Sequence, residues 1–339
     1  MSIAIIVCDN GLGHMRRSIS VANCIVDFGY RVDIYGNKRD FERIVNSFGL
    51  IENKFNCIHC DFGYNFEYFF NKKPEEFLIT KKIPPLEKYE VVISDNIIEV
   101  LYIREDTFLI SQFFWHEILY KINKSYKLKC RELIKKSRPI IFGDKYFSMK
   151  HIRDNKNYLP TGLYNLKILE NIVSQKNNKK KTNLLISAGN TLQAKYLFSE
   201  YVQFILKNKP KGIDLIFIDK KIFPKNSPSW VKKATFEKAM FESLIGCICR
   251  PGIGTITDCI QYGIKIFTLH EEKNLEMINN SQKLSKLLLG EIITEKSSLI
   301  EKIENFCNDQ KKILNHKAIC KSIDLDGPLQ ISQYINKLF

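Results

Sequence analysis

The stretch CRPGIGTITDCIQYGIKIF, Cys249 to Phe267, reads as the end of a strand, a glycine turn, a short helix and the next strand. Gly252 and Gly254 permit a tight turn and bring bare N–H groups toward a ligand. Thr255 and Thr257 fall where a helix starts, so the helix N-terminus and both hydroxyls are expected to point the same way. Such a terminus favours a phosphate through hydrogen bonding and dipole together. Asp258 follows, within expected reach of a sugar hydroxyl beside that phosphate. An ordinary β-turn-α junction has the same spacing, so the stretch alone leaves phosphate loop and plain junction open.

A second loop of this kind lies at the other end of the chain. Ile3 to Cys8 is an apolar run bounded by Asp9-Asn10-Gly11, the pattern of a buried parallel strand. GLGHMRR, Gly11 to Arg17, then makes a tight turn through Gly11 and Gly13 and starts a helix at His14. Apolar residues at Ile19, Ala22, Ile25 and Val26 keep a helical period up to Gly29, and Arg31 to Tyr35 is the next strand. This βαβ unit requires a parallel sheet with a right-handed crossover. A helix N-terminus disfavours a protonated imidazole, which suits His14 to general-base work on a hydroxyl, although a capping histidine fits the same position. Arg16 and Arg17 read as a solvated face or as a contact for an acidic substrate or a membrane.

The alternation persists across all 339 residues, too many for one ordinary core. Short strands are expected at 56–59, 90–94, 107–111 and 139–142, with a long amphipathic helix from Trp115 to Lys136 and a turn at Leu159 to Gly162. The lysine-rich spacer SQKNNKKKT, Ser174 to Thr182, marks the domain boundary. A second cycle begins at Asn183 to Ser187, followed by Ala188-Gly189-Asn190-Thr191 and a helix through Leu206. Further strands are expected at 214–218, 246–249 and 264–269, with a helix from Leu275 to Leu289. The expected organisation is residues 1–165 as an N-terminal Rossmann-like domain, 182–325 as a second one, and 326–339 as a helix returning to the first. In open parallel sheets ligands lie at the carboxyl ends of the strands, so the two doubly wound α/β domains are expected to face each other across a cleft.

Composition narrows the rest. The formal charge of +15 suits anionic substrates or peripheral contact with an anionic membrane, and no basic stretch forms a nucleic-acid module. No apolar run is long enough to span a bilayer, the first strand begins without a signal-peptide n-region, and the ten cysteines show no disulfide framework. A cytoplasmic protein, peripheral on the inner face of the cell membrane, is the expectation. Cys57-Ile-His-Cys60 has metal spacing but no matching second pair, so no metal site is expected. Asp95 ends a strand and reads as a substrate-hydroxyl contact or a turn former. Trp115 and His116 read as acceptor-cleft lining or as core, the aromatics of YNFEYFF (Tyr64 to Phe70) as core, and Arg250 as a phosphate partner or a surface arginine.

GLGH followed by arginine, together with RPGIGTITDCIQYGIKIF and the polar helix after it, resembles the GT-B glycosyltransferases, in particular the MurG-type (family 28) branch. ISD (Ile93 to Asp95) and FLISQFFWHEILYKI (Phe108 to Ile122) resemble the matching elements of bacterial predicted glycosyltransferases. The resemblance implies a metal-independent, inverting transfer of sugar from a nucleoside-diphosphate sugar, expected to be a UDP-sugar, to a hydroxyl of a cell-surface glycan or lipid-linked precursor. It implies His14 as base, Gly252, Gly254 and Thr255 on the donor diphosphate, and Asp258 on the ribose. It further implies Glu276 and Asn280, next to Asn279, on the donor sugar, and Gly189 and Asn190 near the diphosphate. No cofactor is implied beyond the nucleotide sugar. The GxGHxxR loop is also similar to that of the nucleotide-sugar hydrolase of the pseudaminic acid pathway, where the histidine would activate water. A catalytically silent nucleotide-sugar-binding module and a nucleotide-sugar epimerase are the further alternatives.

Overall fold

The computed structural model describes residues 1–48, 54–63, 69, 78–166, 181–189 and 191–338. Asn190, residues 174–180 of the spacer and most of YNFEYFF lie outside them; Phe69 is described and is fully buried. The chain forms two compact units, Met1–Leu169 with Leu325–Phe339, and Glu170–Asp324.

The first unit carries a parallel sheet of strands β1 (Ser2–Val7), β2 (Arg31–Gly36), β3 (Asn56–His59), β4 (Val91–Asp95), β5 (Phe108–Ile110), β6 (Ile141–Asp144) and β7 (Tyr158–Thr161), in the spatial order β3-β2-β1-β4-β5-β6-β7. Ile3 to Val7 are all buried because helices cover both faces of a parallel sheet, which is why this strand reads as a continuous apolar run. The order reverses between β1 and β4, which run in parallel register from Ile3↔Val91 to Val7↔Asp95. At that switch point the two outgoing loops leave in opposite directions and open a crevice above the strand ends. Helix α1 (Leu12–Val26) starts there and turns Met15, Ile19, Ala22 and Ile25 into the core.

Two sequence expectations need correction. The helix foreseen from Trp115 to Lys136 is two helices, α4 (Trp115–Ile118) and α5 (Lys124–Ser137), after α2 (Lys38–Phe48) and α3 (Val100–Ile103). Asn123 interrupts it, because its side chain caps α5 by accepting from Tyr126 N at 3.1 Å. Leu159 and Pro160, read as a turn, lie in edge strand β7, where a proline is tolerated. After α6 (Lys150–Arg153) the chain enters the second unit and returns as the last helix, α13 (Gly327–Leu338). Ile331 and Ile335 of this helix join the same apolar cluster as Ile19 and Ile25, and Tyr30 Oη donates to Asn336 at 2.6 Å.

The second unit repeats the plan with β8 (Asn183–Ser187), β9 (Ile216–Ile218), β10 (Val231–Lys233), β11 (Leu244–Cys249), β12 (Lys265–Thr268) and β13 (Gly290–Ile292), ordered β10-β9-β8-β11-β12-β13 and all parallel. Its switch point lies between β8 and β11. The helices are α7 (Leu192–Lys207), α8 (Lys238–Ser243), α9 (Ile253–Gln261), α10 (Leu275–Lys286), α11 (Lys296–Cys307) and α12 (Gln310–Ser322). Both units are therefore doubly wound, as the alternation of strand and helix signals requires.

Candidate active site

In the first unit the switch point is furnished by β1, α1 and β4. Gly11 caps α1 with φ 103°, a left-handed conformation that favours glycine, and no side chain caps the helix. A Cβ at Gly11 or Gly13 would meet nothing within 4 Å among the described residues. His14, Arg17 and Ser18 stand at i, i+3 and i+4, one face of α1. All three reach the carboxylate of Asp95 at the carboxyl end of β4. His14 Nδ1 lies 2.7 Å from Oδ1, Arg17 Nη2 2.5 Å from Oδ1, Arg17 Nε 2.8 Å from Oδ2, and Ser18 Oγ 3.0 Å from Oδ2.

Asp95 is completely buried. Burial pushes its carboxyl up, but the charges of Arg17 and His14 and the hydrogen bonds from both outweigh this and hold it at about 2. Burial likewise opposes the charge of Arg17, and the Asp95 carboxylate more than compensates, raising the guanidinium above its ordinary range. An ionised Asp95 accepts only, so His14 Nδ1 carries the proton and Nε2 is left as the basic nitrogen. The 3.2 Å approach of Arg17 Nη2 to His14 Nδ1 then brings together two donors that share one acceptor.

This corrects two readings, of Asp95 and Arg17, and decides a third, that of His116, for the core. Asp95 is a buried anchor for the imidazole and not an open contact for a substrate hydroxyl. Arg17 is buried, beneath His14, with its guanidinium 5.4 Å from the Tyr164 ring centre, and forms no solvated face. His116 is buried away from the loop, stacked on Phe114 with ring centres 5.4 Å apart and planes 11° from parallel. Trp115, by contrast, does stand beside His14, 6.3 Å between ring centres, and is held edge-on by Phe113. The Asn96 amide is best satisfied with its oxygen toward Trp115 Nε1 at 3.2 Å. Asp95 thus orients the histidine and its neighbour Asn96 orients the tryptophan next to it.

In the second unit, Gly252 caps α9, and the first-turn amides of Ile253, Gly254 and Thr255 fall among those a helix leaves without an intrahelical acceptor. A Cβ at Gly252 would meet nothing within 4 Å among the described residues. Thr255 and Gly254 are half-buried in the first turn, but Thr257 is buried and donates back to Ile253 O at 2.8 Å, so its hydroxyl does not join the terminus. Asp258 lies in the second turn and is 8 % exposed, deeper than expected for a sugar contact. Asn280 is also buried: its Nδ2 donates to Pro251 O at 2.9 Å and its Oδ1 accepts from Asn279 Nδ2 at 3.2 Å, so it braces the glycine turn from beneath. Glu276 occupies the first turn of α10, half-buried.

Arg250 pairs within the protein. Its Nε lies 3.0 and 3.1 Å from the two oxygens of Glu271, which also accepts from Thr191 Oγ1 at 2.8 Å. Burial pushes the Glu271 carboxyl up, and the charge of Arg250 overrides this and lowers it. Glu271, just beyond the carboxyl end of β12, escaped the sequence reading; its signal was the acidic pair in HEEKN directly after an apolar strand. Gly189 adopts φ 75°, and a Cβ there would lie 3.3 Å from Arg250 Cδ. Gly189→Ala is therefore expected to cost about 1–2 kcal/mol through left-handed strain and displacement of Arg250, read as a lower urea midpoint of the full chain. An unchanged midpoint would show that the loop relaxes freely.

No protein-family model matches the sequence, and no curated protein matches it. Solved structures do match. The glycotransferase of kitacinnamycin superposes with a TM-score of 0.68 at 11% identity, covering 99% of this chain and 98% of its own. SnogD from Streptomyces nogalater gives 0.66 at 12% identity over 100% of both chains. The spinosyn rhamnosyltransferase SpnG complexed with thymidine diphosphate gives 0.64 at 10% identity, covering 99% of this chain and 100% of its own. At such identities the likeness establishes the fold, and the fold is that of the GT-B glycosyltransferases.

Proposed function

We propose that the protein is a glycosyltransferase that moves a sugar from a nucleoside diphosphate to a hydroxyl acceptor, with inversion and without a metal. The observation that carries this reading is the His14–Asp95 pair, 2.7 Å apart and locked from the far side by Arg17 and Ser18. In the proposed reaction Nε2 of His14 takes the acceptor hydroxyl proton. The acceptor oxygen bonds to the anomeric carbon, and the bond from that carbon to the diphosphate oxygen breaks. Negative charge grows on the leaving diphosphate, and the amides at the start of α9 offer donors and dipole for it. Arg250 has its charge met by Glu271, so its proposed part is to fix the loop after β11. The SpnG complex with thymidine diphosphate and another with spinosyn aglycone support a nucleotide donor and a separate acceptor. The MurG-type sequence resemblance favours a UDP-sugar donor and a cell-surface glycan or lipid-linked acceptor. Peripheral contact with the inner membrane face is part of the same reading; among the described residues no helix is long and apolar enough to cross a membrane.

The test is a thermal-shift series with uridine, thymidine, guanosine and cytidine diphosphates. A matched diphosphate at a hundredfold over its Kd adds about 2.7 kcal/mol, roughly 5–10 °C for a unit of this size. Gly254→Val, which puts a branched side chain on the first turn of α9, is expected to abolish that shift. A full shift in Gly254→Val, or none with any diphosphate in the parent, defeats the donor assignment. Release of sugar at full rate without acceptor would move the reading to a hydrolase, with water in place of the alcohol. Tight binding with no turnover would move it to a binding module.

A further inference from the structure

The second unit holds a cavity of about 320 Å³ at the end of its sheet opposite the glycine turn. Lys265 begins β12 and pairs in register with Gly246, whereas Cys249 and Thr268 mark the carboxyl end from which the glycine turn departs. Lys265, Lys302 and Lys312 line the cavity with Glu291, Phe306 and His316. Three ammonium groups thus meet one carboxylate. Lys265 Nζ is 3.5 Å from Glu291 and 5.6 Å from the centre of the Phe306 ring. Lys302 donates to Ile292 O at 3.0 Å, a neutral acceptor that does not offset its charge, and Lys312 donates to Asn305 O at 3.3 Å. Asp309, 3.7 Å from Lys312, offsets part of the excess and still leaves it positive.

A second, independent observation points to an occupant. His316 is 3 % exposed, and its Nδ1 has no hydrogen-bond partner among the described residues. Its Nε2 lies 3.4 Å from Cys320 Sγ. Burial pushes the ring down to about 4 against the pull of the nearby Ile264 and Leu288 carbonyls, and pushes the Cys320 thiol up to about 12. The thiol can donate to Nε2 or accept from it, and an anionic occupant of the cavity would select the tautomer with the proton on Nδ1. The Ile264 and Leu288 carbonyls lie near the ring, but neither gives Nδ1 a well-formed hydrogen bond, so an acceptor in the cavity would be better placed for it.

We propose that this cavity is a binding site for a phosphate monoester with a small apolar body, separate from the donor turn. Three lysines against Glu291 and Asp309 leave one excess positive charge, and a phosphate monoester offers acceptor oxygens to the lysines and to His316 Nδ1 in the tautomer protonated there. Phe306, Leu288 and Ile319 supply apolar wall for the rest of the molecule. The volume suits a ligand of this size and not a nucleotide sugar.

Phenyl phosphate is the probe, titrated calorimetrically into the full chain at fixed ionic strength. Binding is expected in the parent, at least tenfold weaker in Lys312→Gln and in Lys302→Gln/Lys312→Gln, and unchanged in Gly254→Val. Lys312 is 57% exposed, so its variant retains the fold, which circular dichroism checks. Equal affinity in parent and lysine variants overturns the proposal, as does loss of binding in Gly254→Val alone, which would place the probe on the donor turn. Absence of binding in the parent at millimolar concentration overturns it as well.

Discussion

Asp95→Asn is expected to lower kcat a thousand- to ten-thousand-fold, roughly, with the affinity for the nucleoside diphosphate unchanged. The carboxylate accepts on both oxygens: Oδ1 serves His14 Nδ1 and Arg17 Nη2, and Oδ2 serves Arg17 Nε and Ser18 Oγ. An amide has one accepting end, and either orientation sets an NH2 group against a guanidinium N–H. With the NH2 group toward His14, the imidazole keeps its proton on Nε2 and loses the basic nitrogen the reaction needs. The same change strands the buried Arg17 charge, which is expected to cost about 3–5 kcal/mol of stability. Lost folding and lost positioning are separable. Arg17→Met added to Asp95→Asn should restore the urea midpoint without restoring turnover, because the histidine still lacks its anchor. His14→Ala should match the rate loss while binding the donor normally. A double variant that regains both stability and kcat would reduce Asp95 to a structural partner of Arg17.

What the sequence made legible follows from which forces are local. Continuous apolar runs such as Ile3 to Cys8, and glycines at loop positions after strands, encode a buried parallel sheet and its open strand ends directly. The two doubly wound units and the loops at Gly11 and Gly252 were accordingly readable. The partners of the loop residues were not, because they come from strand ends far apart in the chain. Asp95 is 81 residues from His14, and only the switch between β1 and β4 brings them together. Burial was the other blind spot. Arg17 looked like surface because arginine usually is, and it enters the core only because a carboxylate waits there. Arg250 and Glu271 became partners for the same reason, just beyond the carboxyl ends of neighbouring strands β11 and β12. His116 misled in the opposite sense: sharing a short helix with Trp115 suggested a shared role, but adjacent residues on a helix do not face the same way.

His116 carries the second large prediction, acid sensitivity of the fold. The ring is 1% exposed, its Nδ1 has no hydrogen-bond partner among the described residues, and burial pushes it down to about 3. Glu117 pulls it upward, while His151, Lys127 and Arg131 add to the depression. A histidine depressed in the folded state resists a proton that the unfolded chain accepts near pH 6.5. Its contribution is therefore intact above that pH and is lost progressively as the pH falls from 6.5 toward 3. By pH 5 the unfolded chain has gained about 2 kcal/mol from this one group. Asp95 acts lower, since a carboxyl depressed to about 2 loses its stabilisation only between roughly pH 4 and pH 2. His151 and His316, also depressed by burial, act in the same direction as His116. The urea midpoint of the parent is expected to fall steeply between pH 8 and pH 5. His116→Phe keeps a planar ring stacked on Phe114, removes the unmatched nitrogen, and should shrink that fall by about 2 kcal/mol. The comparison at two pH values cancels any packing cost of the larger ring. Equal falls in parent and variant would mean that His116 takes up its proton within the folded core.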